Sequence, residues 1–231
     1  MKSYNFIISE DEGIKFSKIS GDYNKIHIDD LAGYNSLYGR KICHGCLLVI
    51  KVLNITNIIK HLKKQYKFNI NVNFKRYTEY NKKITLKLYF KNNHVFIKVY
   101  QENIIISEML ISTEIIKFIR NKKQKNKYSG KIKFSTKSLE IKNIYKILEN
   151  ISKYVGMVIP GEHSLIRSIN IDYSFENKYS NKNFKFQSNQ IDQRIPIIKN
   201  KLLYKKFIVK FESLKRPKID INFKKISKNL L

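Results

Sequence analysis

The sequence has no tryptophan, and only three prolines and two cysteines occur among its 231 residues. Two cysteines, Cys43 and Cys46, exclude a disulfide framework, and no second pair is present to complete a zinc site. The histidine of Cys-His-Gly-Cys lies between the cysteines, so the pattern of haem attachment also fails. We interpret Cys43 and Cys46 as small thiols at the start of an apolar helix.

Acidic residues are also scarce, with 18 Asp and Glu against 46 Lys and Arg and a formal net charge of +28. Such a balance is typical of proteins that bind nucleic acid. However, the lysines are spread along the chain, arginine is rare, and the Lys, Ile and Asn bias suits an AT-rich coding sequence. We therefore expect a solvated lysine surface that attracts polyanions, and no dedicated nucleic-acid partner.

Long hydrophobic runs are missing as well. No run of about 18 apolar residues occurs, so no membrane-spanning helix is expected. Residues 1–5 lack the apolar core of a signal peptide, and a cytoplasmic protein is therefore expected. Hydrophobic residues make up 42% of the chain and aromatic residues 13%, which is enough for one large or two small domains with a core.

The first half of the chain predicts a helix followed by a meander of strands. Ser9 and the acidic residues after it predict a short helix that ends near Gly21. Residues 46–62 are apolar on most sides, which is typical of a largely buried helix. Period-two alternation then predicts four strands, over residues 69–77, 84–91, 95–101 and 104–112. This order suggests an antiparallel sheet wrapped around the long helix.

The same order recurs in the second half, after a basic linker candidate at residues 121–127. The pattern there predicts a strand, an amphipathic helix and three more strands, over residues 131–136, 139–157, 165–175, 184–191 and 201–213. We therefore predict an internal repeat and two domains, residues 1–120 and 121–231.

A polar motif, Gly-Asp-x-Asn-x-x-His, follows the first helix and contains Asp22, Asn24 and His27. Taken singly, Asp22 is better explained as a turn residue and His27 as a structural histidine. Together they are an acid and an imidazole that can hold one water molecule, which suits hydration or dehydration. Their position in a loop after a helix also favours a functional role.

This motif is followed by Tyr-Gly-Arg-x-Ile-x-His-Gly-x-Leu at residues 38–47, and the two together resemble the MaoC-like dehydratases, or R-specific enoyl-CoA hydratases. The resemblance covers about residues 4–112, and residues 154–164 resemble the end of a helix of the same superfamily. It implies an α+β double hotdog, in which each half is a long central helix wrapped by a curved antiparallel sheet. The second half lacks the motif. The family usually has proline where this chain has Lys25 and Lys41.

The resemblance implies a lyase of fatty acid metabolism that interconverts an enoyl thioester and an (R)-3-hydroxyacyl thioester. Asp22 and His27 would be the acid/base pair, and Asn24 would orient the pair or the water. Gly45 would begin the central helix and direct its backbone N–H at the thioester oxygen. His44 is placed on the substrate-binding side, where it would hold the loop or the helix start.

Arg40 is the other substrate-binding candidate, either as a contact to a coenzyme A phosphate or simply as a surface cation. No metal and no redox cofactor are implied, and the substrate would be carried by coenzyme A or by an acyl carrier protein. A monomer with paired hotdogs or a homodimer is expected. Two alternatives remain on the same fold: a non-catalytic module that binds acyl thioesters or carrier proteins, and a thioesterase.

Overall fold

A computed structural model describes residues 1–62, 65, 67–113, 139–176, 183–190 and 196–215. The helices of these residues are α1 (Glu10–Ser20), α2 (Lys25–Ile28), α3 (Asp30–Tyr34), α4 (Gly45–Thr56), α5 (Ile58–Leu62) and α6 (Leu139–Met157). The strands are β1 (Lys2–Phe6), β2 (Lys67–Phe74), β3 (Ile84–Lys91), β4 (His94–Gln101), β5 (Ile104–Thr113), β6 (Ser164–Ser174), β7 (Lys185–Gln190), β8 (Ile197–Tyr204) and β9 (Phe207–Lys215).

All nine of these strands lie in one antiparallel sheet with the order β1-β3-β4-β5-β2-β6-β9-β8-β7. β2 and β6 meet in its middle, where Ile70 lies opposite Ile171. On one side of this seam the order is β2, β5, β4, β3, with β1 added at the edge, and on the other it is β6, β9, β8, β7. The two halves of the sheet therefore repeat one pairing pattern around the β2–β6 seam.

The core lies between one face of this sheet and the helices α4 and α6, which pack against each other. Alternate strand residues such as Val72 and Ile169 are fully buried, as the period-two pattern predicts. Every residue of α4 from Cys46 to Leu53 is buried, and each large apolar side chain there stabilises the fold by about 1.5–3 kcal/mol. No helix among the described residues is long and apolar enough to cross a bilayer.

Helix α1, which the sequence predicts, begins with a capping box. The Glu12 backbone N–H donates to Ser9 Oγ at 3.2 Å, and the Ser9 backbone N–H donates to Glu12 Oε2 at 3.1 Å. The helix ends at Gly21, which has the left-handed φ of 75° that glycine adopts at low cost. The cap therefore fixes where the chain leaves the helix, directly before Asp22.

Several elements differ from their prediction. The single helix predicted over residues 46–62 is two helices, because Asn57 adopts a left-handed φ of 52° between α4 and α5. The single strand predicted over residues 201–213 belongs to β8 and β9, which a tight turn with Lys205 at φ 52° separates. His27 lies on the helical turn α2 rather than in a loop.

Strand β1 and helix α3 were not predicted, whereas the predicted bounds of β3 and α6 are confirmed. The predicted linker at residues 121–127, the predicted strand at 131–136 and the boundary between residues 120 and 121 lie outside the described residues.

Candidate active site

Asp22 is the first residue after the Gly21 turn, and its side chain is almost completely buried. Oδ1 accepts a hydrogen bond from the Asn24 backbone N–H at 3.2 Å. Oδ2 accepts one from the Ser152 hydroxyl of α6 at 2.5 Å. The carboxylate is therefore held in place by its own loop and by a helix from the other half of the chain.

Gly156 lies one helical turn after Ser152 on α6 and faces the same carboxylate. A Cβ atom at Gly156 would lie 2.1 Å from Asp22 Oδ1, so only glycine lets α6 approach this closely. The sequence reasoning missed both residues. Their four-residue spacing on a predicted helix is the single available signal, and it does not reveal what the helix faces.

His27 has a defined tautomer. Its Nδ1 lies 2.8 Å from the Ile42 carbonyl oxygen, and a carbonyl only accepts hydrogen bonds. Nδ1 therefore carries the hydrogen, and Nε2 of the neutral ring is an acceptor. Burial lowers the pKa of His27 below its usual value of 6.5, while the Asp22 carboxylate and the Ile42 carbonyl act in the opposite direction. At neutral pH the ring is thus uncharged, and Nε2 is able to accept a proton.

His44 is the residue before α4 and is fully buried. Its Nε2 lies 3.2 Å from Ser17 Oγ, and its Nδ1 lies 3.3 Å from the Tyr80 hydroxyl. Its ring centroid is 3.9 Å from that of His27, and its Nε2 is 3.9 Å from Asp22 Oδ2. Burial and the neighbouring His27 lower the pKa of His44 well below 6.5. His44 is therefore a neutral ring that packs behind Asp22 and His27.

Asn24 contributes an unpaired hydrogen-bond donor. Its Oδ1 accepts from the His163 backbone N–H at 3.3 Å, but its buried Nδ2 has no hydrogen-bond partner among the described residues. Leaving a buried polar group unpaired costs about 1–3 kcal/mol. The amide is therefore poised to donate to a ligand or a water molecule.

These groups surround a cavity of about 20 Å³, which is large enough for one water molecule. One wall is made by Asp22, Asn24, His27 and Gly45, and the other by residues of α6 and β6. Gly45 is the first residue of α4, and the side chain before it makes no capping hydrogen bond. The first-turn N–H groups of α4 therefore have no side-chain cap, an arrangement that favours a negatively charged oxygen at this end of the helix.

Arg40, in contrast, lies on the surface, where its half-exposed guanidinium pairs with Glu79. Cys43 and Cys46 are buried, and burial raises the pKa of both thiols, in keeping with their predicted role as small core residues. Arg40 is not part of the cavity wall, and the structure brings together the other five predicted site residues: Asp22, Asn24, His27, His44 and Gly45.

Asp22, His27 and His44 also offer possible metal-ligand atoms, all within 4.8 Å of one another. Both ring nitrogens of His44 already have hydrogen-bond partners in the protein, Ser17 Oγ and the Tyr80 hydroxyl. The Asn24 Nδ2 beside the cluster presents hydrogens, which repel a cation. The cluster therefore suits a water molecule or a carbonyl oxygen better than a metal ion.

Comparison with known proteins supports the fold. The sequence matches no protein-family model and no curated protein. Over 94% of both chains, the structure is similar to a protein with a hot dog fold from Alicyclobacillus acidocaldarius, at 6% identity and a TM-score of 0.50. The protein has a hotdog fold.

Two further structures are similar to this hotdog protein. The tesB protein of Mycobacterium avium subspecies paratuberculosis has 8% identity and a TM-score of 0.51, over 77% of this chain and 88% of that one. A structure described as a MaoC-like dehydratase has 8% identity and a TM-score of 0.47, over 93% of this chain and 98% of that one. The hotdog fold that the motif resemblance implies is thus confirmed, and the division into two hotdogs stays a prediction.

Proposed function

We propose that this protein is a MaoC-like lyase that interconverts an enoyl thioester and an (R)-3-hydroxyacyl thioester by adding or removing water. One observation supports this most directly: a cavity of one-water size lies between a carboxylate and a neutral imidazole. Asn24 supplies the unpaired donor for the same cavity. Hydration requires a water that is oriented and deprotonated, and these groups are able to do both.

In the hydration direction, His27 Nε2 accepts a proton from the water as its oxygen bonds to C3 of the enoyl group. The Asp22 carboxylate accepts the second hydrogen bond of the water and stabilises the imidazolium that forms. The Asn24 amide donates to the water oxygen. The proton is then delivered to C2, so that one water is added across the double bond. Dehydration follows the same steps in reverse.

The thioester oxygen gains negative charge while C3 is attacked. We assign its stabilisation to the backbone N–H of Gly45 and to the positive end of the α4 dipole. His44 positions Asp22 and His27 in this scheme, because its ring is buried behind them. Arg40 is retained as a contact to the carrier phosphates, for which it would have to leave Glu79.

We further propose that the sheet consists of two hotdogs, with residues 1–120 carrying the motif and residues 121–231 supplying the opposite wall through α6. A single chain would then contain a complete site, so a monomer would suffice. The substrate carrier would be coenzyme A or an acyl carrier protein, and no metal or redox cofactor would take part.

The test follows the absorbance of the enoyl group with crotonyl-, hexenoyl- and longer enoyl-CoA thioesters. We expect turnover by the parent protein and a loss of about 10²–10⁴-fold in Asp22→Asn and His27→Gln, the usual contribution of acid/base residues. His94→Gln is the matched control, because His94 lies on β4 and bonds only to Ser112 among the hydrogen-bond partners observed. Full activity in both site variants would contradict the assigned roles.

The same panel separates the alternatives. Release of free thiol from acyl-CoA, without a change in enoyl absorbance, would indicate a thioesterase. A shift of the melting temperature with acyl-CoA, without either reaction, would indicate a binding module. Either result would replace the hydratase proposal.

A further inference from the structure

A second concavity, of about 490 Å³, crosses β6, β9, β8 and β7. Three lysines line it, Lys199, Lys201 and Lys210, together with the amides of Asn170, Gln187 and Asn189. We call it the lysine trough. The strand residues whose side chains line it alternate with buried core residues, so it lies on the outer face of the sheet. It is therefore separate from the Asp22–His27 cavity, which lies on the helix side.

The positive charge in the lysine trough is not neutralised by the protein. Glu212 also lines the trough, but the Arg167 guanidinium lies 3.2 Å from its carboxylate. Within the part of the chain that the structure describes, the side chains of these three lysines form no ion pair and no hydrogen bond. The trough thus presents three unpaired ammonium groups beside neutral amides.

The strand register also places two lysines where their positive charges repel each other. Lys201 on β8 lies directly opposite Lys210 on β9, whereas Lys199, two residues away on the same face, lies opposite Glu212. Like charges directly opposite each other in a sheet are destabilising. An anion bound between the two ammonium groups would attract both of them and would offset their repulsion. The arrangement is therefore unfavourable when empty and favourable with an anionic ligand.

We propose that the lysine trough binds a compact oligophosphate, such as the diphosphate group of a nucleotide. Its volume is in the usual range for small-molecule sites. Neighbouring lysines on adjacent strands are about 5 Å apart at Cβ, and alternate residues on one strand about 7 Å, so several ammonium groups can reach one diphosphate. The amides are suited to phosphate oxygens or sugar hydroxyls.

A single-stranded nucleic acid fits the trough less well. Proteins that hold such strands stack the bases on exposed aromatic side chains. The aromatic residue that lines the trough, Phe211, is only 2% exposed. A small oligophosphate is therefore the favoured occupant.

The experiment is calorimetric titration of the full chain with inorganic pyrophosphate and, separately, with ADP at low ionic strength. We expect both to bind to the parent protein and to bind at least tenfold more weakly to the double variant Lys201→Gln, Lys210→Gln. The control is Lys185→Gln with Lys215→Gln, which removes the same charge from exposed positions of β7 and β9 outside the trough. The control should bind like the parent.

The ligand-free double variant should also melt about 1–3 °C higher than the parent, because the repulsion between opposite lysines is removed. Tighter binding of ADP than of pyrophosphate would assign a nucleotide as the ligand, and equal binding would assign the phosphates alone. The proposal is overturned if neither probe binds, if the control loses as much affinity, or if only a single-stranded oligonucleotide binds. None of these outcomes depends on the chemistry at Asp22 and His27.

Discussion

Ser152 donates to the buried Asp22 carboxylate from a helix 130 positions further along the chain. In Ser152→Ala this oxygen loses its partner, and we expect the free energy of unfolding to fall by about 1–3 kcal/mol. Turnover should fall too, because the carboxylate is less well held. Urea unfolding at pH 7 measures the first effect and the enoyl assay the second.

A double-mutant cycle is the control for this contact. In the Asp22→Asn background, Ser152→Ala should cost clearly less than in the parent, since the charged acceptor is already gone. Fully additive losses of stability would show that the two side chains do not interact.

Gly156 is a second position at which one added atom, a Cβ, should change the stability of the protein. Alanine is normally the better helix former by about 1 kcal/mol. Here its Cβ would lie 2.1 Å from Asp22 Oδ1, so we expect Gly156→Ala to destabilise the protein by about 1–3 kcal/mol and to reduce turnover. Lys146→Ala, on the exposed side of α6, is the matched substitution and should be nearly neutral. A more stable, fully active Gly156→Ala variant would contradict the close approach.

The sequence was informative about residues that lie close together along the chain. Asp22, Asn24 and His27 belong to one short motif, and the structure brings them together at the cavity. Ser152 and Gly156 escaped detection, because a helical pattern shows which residues share a face but not which distant carboxylate that face meets. The unpaired Nδ2 of Asn24 is likewise visible only once the whole cavity is assembled.

At the scale of the element, a capping box stabilises the start of α1, the helix that leads into the motif. Ser9→Ala should lower the free energy of unfolding by about 1 kcal/mol, because the hydrogen bond from the Glu12 backbone N–H to Ser9 Oγ is lost. Ser3→Ala, at an exposed position of β1, should have almost no effect. Equal stability of the two variants in urea would show that the cap contributes little.

The accuracy of the element predictions depended on the signals at their ends. Strand β3 and helix α6 have strong period-two and amphipathic patterns and were predicted with their observed bounds. The turn between β8 and β9 was missed because Lys205 adopts a left-handed φ without the glycine or asparagine that usually marks one. Asn57 ends α4 inside a continuous apolar pattern, which concealed the break.

For the whole molecule, buried histidines predict a pH dependence. The folded protein lowers the pKa of His27 and His44, so below about pH 6.5 the unfolded chain binds more protons than the folded one. The free energy of unfolding should therefore fall as the pH falls below this value, by up to about 1.4 kcal/mol per unit for each histidine. Urea unfolding between about pH 7.5 and 5.5 tests this. A flat profile would contradict the lowered pKa values.

The fold also changes how the net charge of +28 is interpreted. The lysines are evenly spread in sequence, and this suggested a simple solvated surface. The sheet nevertheless places Lys201 and Lys210 side by side from different strands. Composition reports how many cations a chain has, whereas strand register decides which of them meet.

The β2–β6 seam joins two halves of which only one carries the Asp-x-Asn-x-x-His motif. In a symmetric pair of identical subunits, every substitution appears twice, once on the reacting side and once on the opposing wall. Here the two sides are encoded separately, so mutation can reshape α6 without altering α4 or the loop of Asp22. The covalent link also keeps the ratio of the two sides fixed at one to one, however dilute the protein becomes. Selection can therefore change α6 and the Asp22–His27 loop independently.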